Sequence, residues 1–359
     1  MRARDKPKIS ACNKALHIYR RGILVAHALE VQNGEVAFAL RGAPAWHGLA
    51  NRTFGIDEHV TTADMLESAK LAGWGVDLEP VQYPADYRSS TDLFMVTRTN
   101  PFDGGKDVLS IVGKRYRVFQ NEDLFTFGDN ILDGGASWES AGSIKNGKVV
   151  FGSLVVPREF ILDPQGAADK TTTYLLVHTS HDGSASVQAS ITPVRVVCQN
   201  TLHVALNNTK SSFKLRHTLK VEGRVAEARM ALGLTFNYMD EFESIAKSLF
   251  ETPMNAVQWD NLINAIYPKP DATQAPQVST KWQAKRDLLD DIYFQSPTQT
   301  NIKGNYWGAL NALTERIDYF RTGRTANGEA LIGAASGFDP VVNAEKSRIL
   351  RAVRELASA

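Results

Sequence analysis

The sequence predicts an α+β fold: an antiparallel sheet of β-hairpins packed with helices, followed by a helical C-terminal part. Three observations carry that reading. Asn146-Gly147 and Asp182-Gly183 each lie between alternating apolar runs, and both are turn pairs whose residues tolerate positive φ. Helical apolar spacing precedes the first hairpin and follows the second. Beyond Lys220 the strand-like alternation stops and long helical patterns take over. The expected division is a basic N-terminal tail over 1–40, an α+β core over 41–220 and a helical C-terminal region over 221–359.

In chain order, the tail carries Arg2, Arg4, Lys6, Lys8, Lys14, Arg20 and Arg21 ahead of a short apolar run, Gly22 to Leu29. That run is short for a signal peptide. Residues 40–60, including Trp46-His47-Gly48, are rich in turn formers. Thr61 or Thr62 is placed to cap a helix reaching about Ala72, with Asp64 and Glu67 in or near its first turns. Trp74–Gln82, Leu93–Thr99 and Val108–Val112 alternate as strands. A helix is expected over Asn121–Leu132, with Leu124, Phe127, Ile131 and Leu132 on its apolar side and Gly134-Gly135 ending it. Ser137–Ser143 and Val149–Val156 form the first hairpin. A looser piece, Pro157 to Lys170, leads to the second, over Thr173–Thr192. Pro193 then reads as the first residue of a helix over 194–206, since its missing N–H would be unpaired there anyway. Val194, Val197, Cys198, Thr201, Leu202, Ala205 and Leu206 would form that helix's apolar stripe, and Arg195, Gln199 and His203 a polar row. The C-terminal helical segments are Val221–Leu234, Met239–Phe250, Met254–Ile266, Lys281–Phe294, Trp307–Phe320 and Val342–Leu356, with an exposed proline-bearing loop over Tyr267–Thr280.

Composition bounds the function. At 359 residues, 43% hydrophobic and 22% charged, the chain has the makeup of a soluble globular protein. A net charge of +1 excludes a uniformly basic nucleic-acid binder but not a local basic groove. The two cysteines, Cys12 and Cys198, stand far apart, which argues against a disulfide framework and for a reducing, cytoplasmic setting. No apolar run approaches the roughly 18 residues of a membrane span.

Signatures of catalysis are sparse. The sequence has no phosphate loop, no dinucleotide fingerprint and no G-x-S-x-G elbow. His178, His181, His203 and His217 raise the question of a metal, but residues three apart on a strand point to opposite faces. Asp123, Asp129, Asp133, Glu139 and Asp182 could serve a Mg²⁺-dependent nuclease, yet Asp133 and Asp182 fit turns, and Glu122 and Asp123 fit a helix N-terminus. Cys198 reads as packing rather than as a nucleophile.

Two basic segments with aromatics stand out: Lys114-Arg115-Tyr116-Arg117 with Phe119, and Lys210 to His217, which holds Phe213, Lys214 and Arg216. Lys145 and Lys148 bracket the Asn146-Gly147 turn. Single-strand binders combine cations along the phosphates with aromatics under the bases. The expected phosphate contacts are therefore Lys114, Arg115, Arg117, Lys145, Lys148, Lys214 and Arg216, joined by Arg195 if its helix row faces the groove. Tyr116 and Phe119 are the expected stacking residues. The competing reading is a set of solvated strand edges, where lysine discourages edge pairing.

Trp46-His47-Gly48, Val112-Gly113 to Gln120-Asn121, His181-Asp182-Gly183-Ser184 and Pro193 to Leu202 resemble a family of bacteriophage and plasmid proteins of actinobacteriophage type, catalogued as a domain of unknown function. The resemblance spans about Trp46 to Thr218 and implies a phage or mobile-element origin, with no assigned catalytic residues. At the level of fold, the order helix, hairpin, hairpin, helix resembles Rad fifty-two-type single-strand annealing proteins, from which the looser piece 157–170 departs. That likeness implies a ring or filament of subunits and partners such as single-stranded DNA, a phage exonuclease or a host single-strand-binding protein. The sequence-level expectation is a DNA-metabolism protein that binds single-stranded DNA and anneals strands without ATP and without a cofactor. A metal-dependent nuclease using Mg²⁺ and a structural or host-interaction protein are the alternatives.

Overall fold

The structure is a computed structural model that describes residues 29–42, 50–83, 88–132, 137–195, 200–201, 212–215, 224–271, 273–320 and 340–358. Thirteen strands are described: β1 (Val31–Gln32), β2 (Glu35–Val36), β3 (Phe38–Arg41), β4 (Arg52–Phe54), β5 (Asp77–Tyr83), β6 (Arg88–Thr99), β7 (Lys106–Gly113), β8 (Trp138–Ile144), β9 (Val149–Leu162), β10 (Asp169–Ser180), β11 (Val187–Arg195), β12 (Asn200–Thr201) and β13 (Ser212–Leu215). The helices are α1 (Thr62–Ser68), α2 (Asn121–Ile131), α3 (Val225–Glu251), α4 (Ala256–Ile266), α5 (Pro276–Gln295), α6 (Tyr306–Phe320) and α7 (Pro340–Ala357). The α+β reading holds.

The main sheet runs β12-β11-β10-β9-β8-β3-β4, with β13 paired to the other half of β11. All its pairs are antiparallel except β3 with β4. Its spine is the two expected hairpins. At the first turn Lys145, Asn146 and Gly147 all take positive φ, which is why Asn-Gly sits there. In the second, the loop 181–186 is longer than a two-residue turn, and Gly183 has φ +73°. A smaller antiparallel sheet, β5-β6-β7, gathers the three strands expected before α2.

One face of the main sheet is apolar and carries the helices. Val150, Leu154, Leu175, Val177, Ala189 and Ile191 join a core that continues through Leu124 and Phe125 of α2 and Phe242 of α3 to Trp307 of α6. Gly152 makes the α2 contact possible, because a Cβ there would lie 2.7 Å from Trp138 and 2.9 Å from Phe125. The capping signals held: Thr61 and Asp64 form a capping box on α1, which ends at Ser68 rather than about Ala72, and Asn255 caps α4.

Four expectations are corrected. Residues 31–40, assigned to the basic tail, lie in β1, β2 and β3, and β3 pairs with β8 in the main sheet. The looser piece 157–170 is mostly strand: β9 runs to Leu162, and Pro157 and Arg158 fall in a bulge between the Val156–Thr173 and Glu159–Thr172 pairs, where an absent N–H breaks no ladder bond. The helix at 194–206 does not start at Pro193. Val194 and Arg195 continue β11, pairing with Thr172 and Thr171 on one side and with Thr201 and Asn200 on the other. Pro193 lies in the gap between the stretch of β11 paired by β13 and the stretch paired by β12, so one side of the strand is open where proline lacks its donor. Cys198, Gln199 and His203 lie outside the described residues. Finally, the two segments expected over 221–250 are one helix, α3. Its packing on the sheet through Phe160 and Phe242 outweighs the weak helix formers at its middle.

Candidate nucleic-acid interface

The sheet end that bears both hairpin turns is where three separate basic segments meet. Strand register brings the turns together: Ser180 pairs with Val149, and His178 pairs with Gln188, which pairs with Lys214. The Tyr116 hydroxyl donates to Ser180 O at 3.1 Å, the Ser110 hydroxyl donates to His181 O at 2.8 Å, and His181 N donates to Lys148 O at 2.7 Å. These bonds fix the 114–117 segment against the turns holding Lys145, Lys148 and Asp182.

A buried ion pair supports this end from beneath. The Arg98 guanidinium pairs with Glu30 and with Asp107 (3.0 Å) and lies 4.1 Å over the Trp74 ring. Glu30 also accepts from the Ser143 hydroxyl, on the strand leading into the first turn. A Cβ on Gly147 would clash with the Arg98 guanidinium. Glycine there satisfies both the positive φ and the close approach of the guanidinium. His181 also packs near Trp74, with ring centroids 5.7 Å apart, and its Nε2 is hydrogen-bonded to Asn121 Oδ1 at 3.0 Å. The His-Asp-Gly-Ser run is therefore structural here: His181 is buried at the junction, and the Asp182 carboxylate accepts from Ser184 N at 2.9 Å. Burial pushes the Asp182 carboxyl upward, but its bonds from Ser184 and Ser180 and the charge of Lys145 leave it below the usual range.

The expected site residues divide. Lys114, Arg115, Arg117 and Lys214 are exposed, and Lys145 and Lys148 half-buried. Lys114 pairs with Asp92 at 2.7 Å, and that bond lowers the Asp92 pKa and raises that of Lys114. Counting Arg98 with these six gives seven cations against Asp92, Asp182, Glu30 and Asp107, seven minus four, a local +3 in a chain whose total is +1. Tyr116 and Phe119 present no face for a base to stack on: each is 8% exposed and belongs to the core, and burial pushes the Tyr116 phenol upward. Neither ring is therefore available as the expected stacking residue. Arg195 sits at the other end of β11, seven residues from Gln188, roughly 23 Å along a strand, so it does not join the cluster. Arg216 lies outside the described residues.

The carboxylates weighed for a nuclease are engaged one at a time. Asp123 bonds the N-cap backbone of α2, Asp129 accepts from the Thr62 hydroxyl, and Glu139 pairs with Arg41 at 3.2 Å. Burial raises the Glu139 pKa in spite of that arginine. Asp133 lies outside the described residues. Among the described residues no three His, Cys, Asp or Glu side chains are placed to share a metal ion. His178, buried in β10, is held near pKa 4 by burial and by the charge of Lys214.

A protein-family model described as Domain of unknown function (DUF932) matches residues 108–336, more than half of the chain. The chain belongs to the DUF932 family. No curated protein and no solved structure matches it. The DUF932 match begins in β7 and takes in all three basic segments, whereas Arg98 and its partner Glu30 precede it. Sequence reasoning missed Arg98. Its signal was a lone cation two residues from Val96 on the inward face of a strand, where an unpaired charge is too costly to persist. No described helix is long and apolar enough to cross a membrane.

Proposed function

We propose that this protein binds single-stranded DNA along its phosphates at the turn-bearing end of the main sheet and promotes strand annealing without nucleotide hydrolysis. The observation that supports the reading is the convergence of Lys114 to Arg117, Lys145 to Lys148 and Lys214 from three parts of the chain. Cations spaced along a surface release counterions from a polyphosphate backbone, and annealing requires neutralised phosphates rather than an acid–base pair. With Tyr116 and Phe119 in the core, the contacts go to phosphate oxygens and carry no base preference. A phage or mobile-element setting, a ring or filament of subunits, and an exonuclease or single-strand-binding partner belong to the same proposal.

The test is fluorescence-monitored annealing of complementary oligonucleotides by the wild type and by a Lys114→Glu, Arg115→Glu, Arg117→Glu variant. The proposal expects salt-sensitive binding and annealing by the wild type and loss of both in the variant. Equal activity of the two proteins, or no single-strand binding by either, overturns it. Mg²⁺-dependent loss of labelled DNA would instead favour a nuclease.

A further inference from the structure

A second concentration of positive charge lies in the helical layer, and it is a pocket rather than a surface. Tyr267, at the end of α4, is surrounded by three cations. Lys285 of α5 places its Nζ 4.3 Å over the ring, and the guanidinium carbons of Arg316 from α6 and Arg348 from α7 each lie 5.6 Å from it. One carboxylate accompanies them: Glu345 accepts from the Tyr267 hydroxyl at 2.7 Å and pairs with Arg316 at 3.2 Å. Arg348 is anchored by donating to Ile266 O at 2.7 Å. Three cations minus one carboxylate leave +2 around an open cavity of about 570 Å³, whose apolar wall is Trp282, Pro268 and Val341.

Lys285 decides what this cavity is for. Glu345 is engaged by Tyr267 and Arg316, and Lys285 makes no ion pair or hydrogen bond to a described residue beyond its contact with the ring. Half-burying an amine with no carboxylate bonded to it is unfavourable, and burial together with the charges of Arg316 and Arg348 depresses its pKa although Glu345 opposes them. A lysine held this way at a cavity mouth is completed by an anion from outside. A phosphate monoester carries about −1.5 to −2 at neutral pH, which matches the uncompensated +2. The cavity size is that of small-molecule sites, and the Trp282 indole, tied to Tyr267 O at 2.9 Å, offers a fixed flat wall for a planar group.

We propose that this pocket binds a phosphate monoester carried on a planar ring, a nucleoside monophosphate, free or as a 5′-phosphorylated strand end. Lys285 and Arg348 hold the phosphate, and Trp282 flanks the ring. The site is independent of the basic sheet end and stands whether or not that end binds DNA.

Calorimetric titration of the full chain with adenosine monophosphate, adenosine, inorganic phosphate and a 5′-phosphorylated dinucleotide tests it. The monophosphate binds, and adenosine and inorganic phosphate each bind at least about tenfold more weakly, one charge-assisted bond being worth about that factor. Comparable binding of the dinucleotide assigns the site to strand ends, and its exclusion assigns it to free nucleotides. Lys285→Met weakens the monophosphate about tenfold, and Lys285→Arg restores most of it. Val341→Asp places a carboxylate at a rim residue that is 60% exposed. It gives the same loss without touching the core, so the test survives if Lys285→Met fails to fold. No binding of any phosphate, or affinity equal to wild type in both Lys285→Met and Val341→Asp, overturns the proposal.

Discussion

The two basic regions of this molecule collect charge in opposite ways. At the sheet end, six cations from three chain segments stand exposed or half-buried, and Lys114 meets Asp92 in a solvent-exposed pair. Around Tyr267, three cations are drawn together on one ring, and Arg316 is nearly buried. Exposed charges act additively over a surface and are screened by salt within about 8–10 Å. Gathered, half-desolvated charges select by geometry and are screened less. The first arrangement suits a polymer of repeated phosphates and the second a single compact anion. A buried ion pair lies near each: Arg98 with Glu30 beneath the first turn, and Lys346 with Asp318, fully buried at 2.6 Å, between α7 and α6, the helices that carry Arg348 and Arg316.

The sharpest way to break the comparison is to remove the support under one region only. Arg98→Met leaves Glu30 buried without its cation, and such a change costs about 3–5 kcal/mol. Denaturant titration should show a loss of that size, and DNA binding should weaken with it while monophosphate binding persists in the folded fraction. A loss below about 1 kcal/mol would mean that the pair does not hold the turn.

Next in size is a pH effect confined to the sheet. Unfolded histidine takes up a proton near pH 6.5, whereas His178 does so in the folded state only near pH 4. Between those values the unfolded chain binds more protons, so stability is full above pH 6.5 and falls as pH drops. The fall reaches about 3 kcal/mol by pH 4. His178→Leu should remove that slope. An unchanged slope would place the titrating group elsewhere.

A smaller effect distinguishes the regions by ligand. Lys285→Met should lower monophosphate affinity about tenfold and leave single-strand affinity at low salt within about twofold. Smallest is Lys214→Gln. Removing one phosphate contact should reduce the slope of log affinity against log salt by about 0.7, and losing its charge should raise the His178 pKa slightly, readable by NMR titration. A parallel loss of monophosphate binding in this variant would join the two regions into one site.

How much of this was legible in the sequence follows the range of the interactions. Both hairpins were, because Asn146-Gly147 and Gly183 state a backbone requirement locally. So were α1 and α4, whose caps lie within three residues of each other. Pro193 was not, since proline suits both a first helical turn and a gap in a ladder, and only the positions of β12 and β13 decide between them. The basic residues were found one segment at a time, but their meeting depends on the bond from Tyr116 to Ser180, 64 residues away. The segment 114–120 has no strand or helix period to reveal that Tyr116 and Phe119 point inward. The pocket around Tyr267 draws on four helices, and no local pattern foreshadows it.

The most direct test of the central claim is the salt dependence of single-strand binding. A labelled poly-dT oligonucleotide would be titrated at several salt concentrations with wild type and with the Lys114→Glu, Arg115→Glu, Arg117→Glu variant. Six phosphate contacts predict a slope of about −4 for the wild type. The variant should bind at least a hundredfold more weakly at low salt, with a slope shallower by about 2. A flat salt dependence, or identical slopes and affinities for the two proteins, would contradict a phosphate-binding role for the turn-bearing end of the sheet.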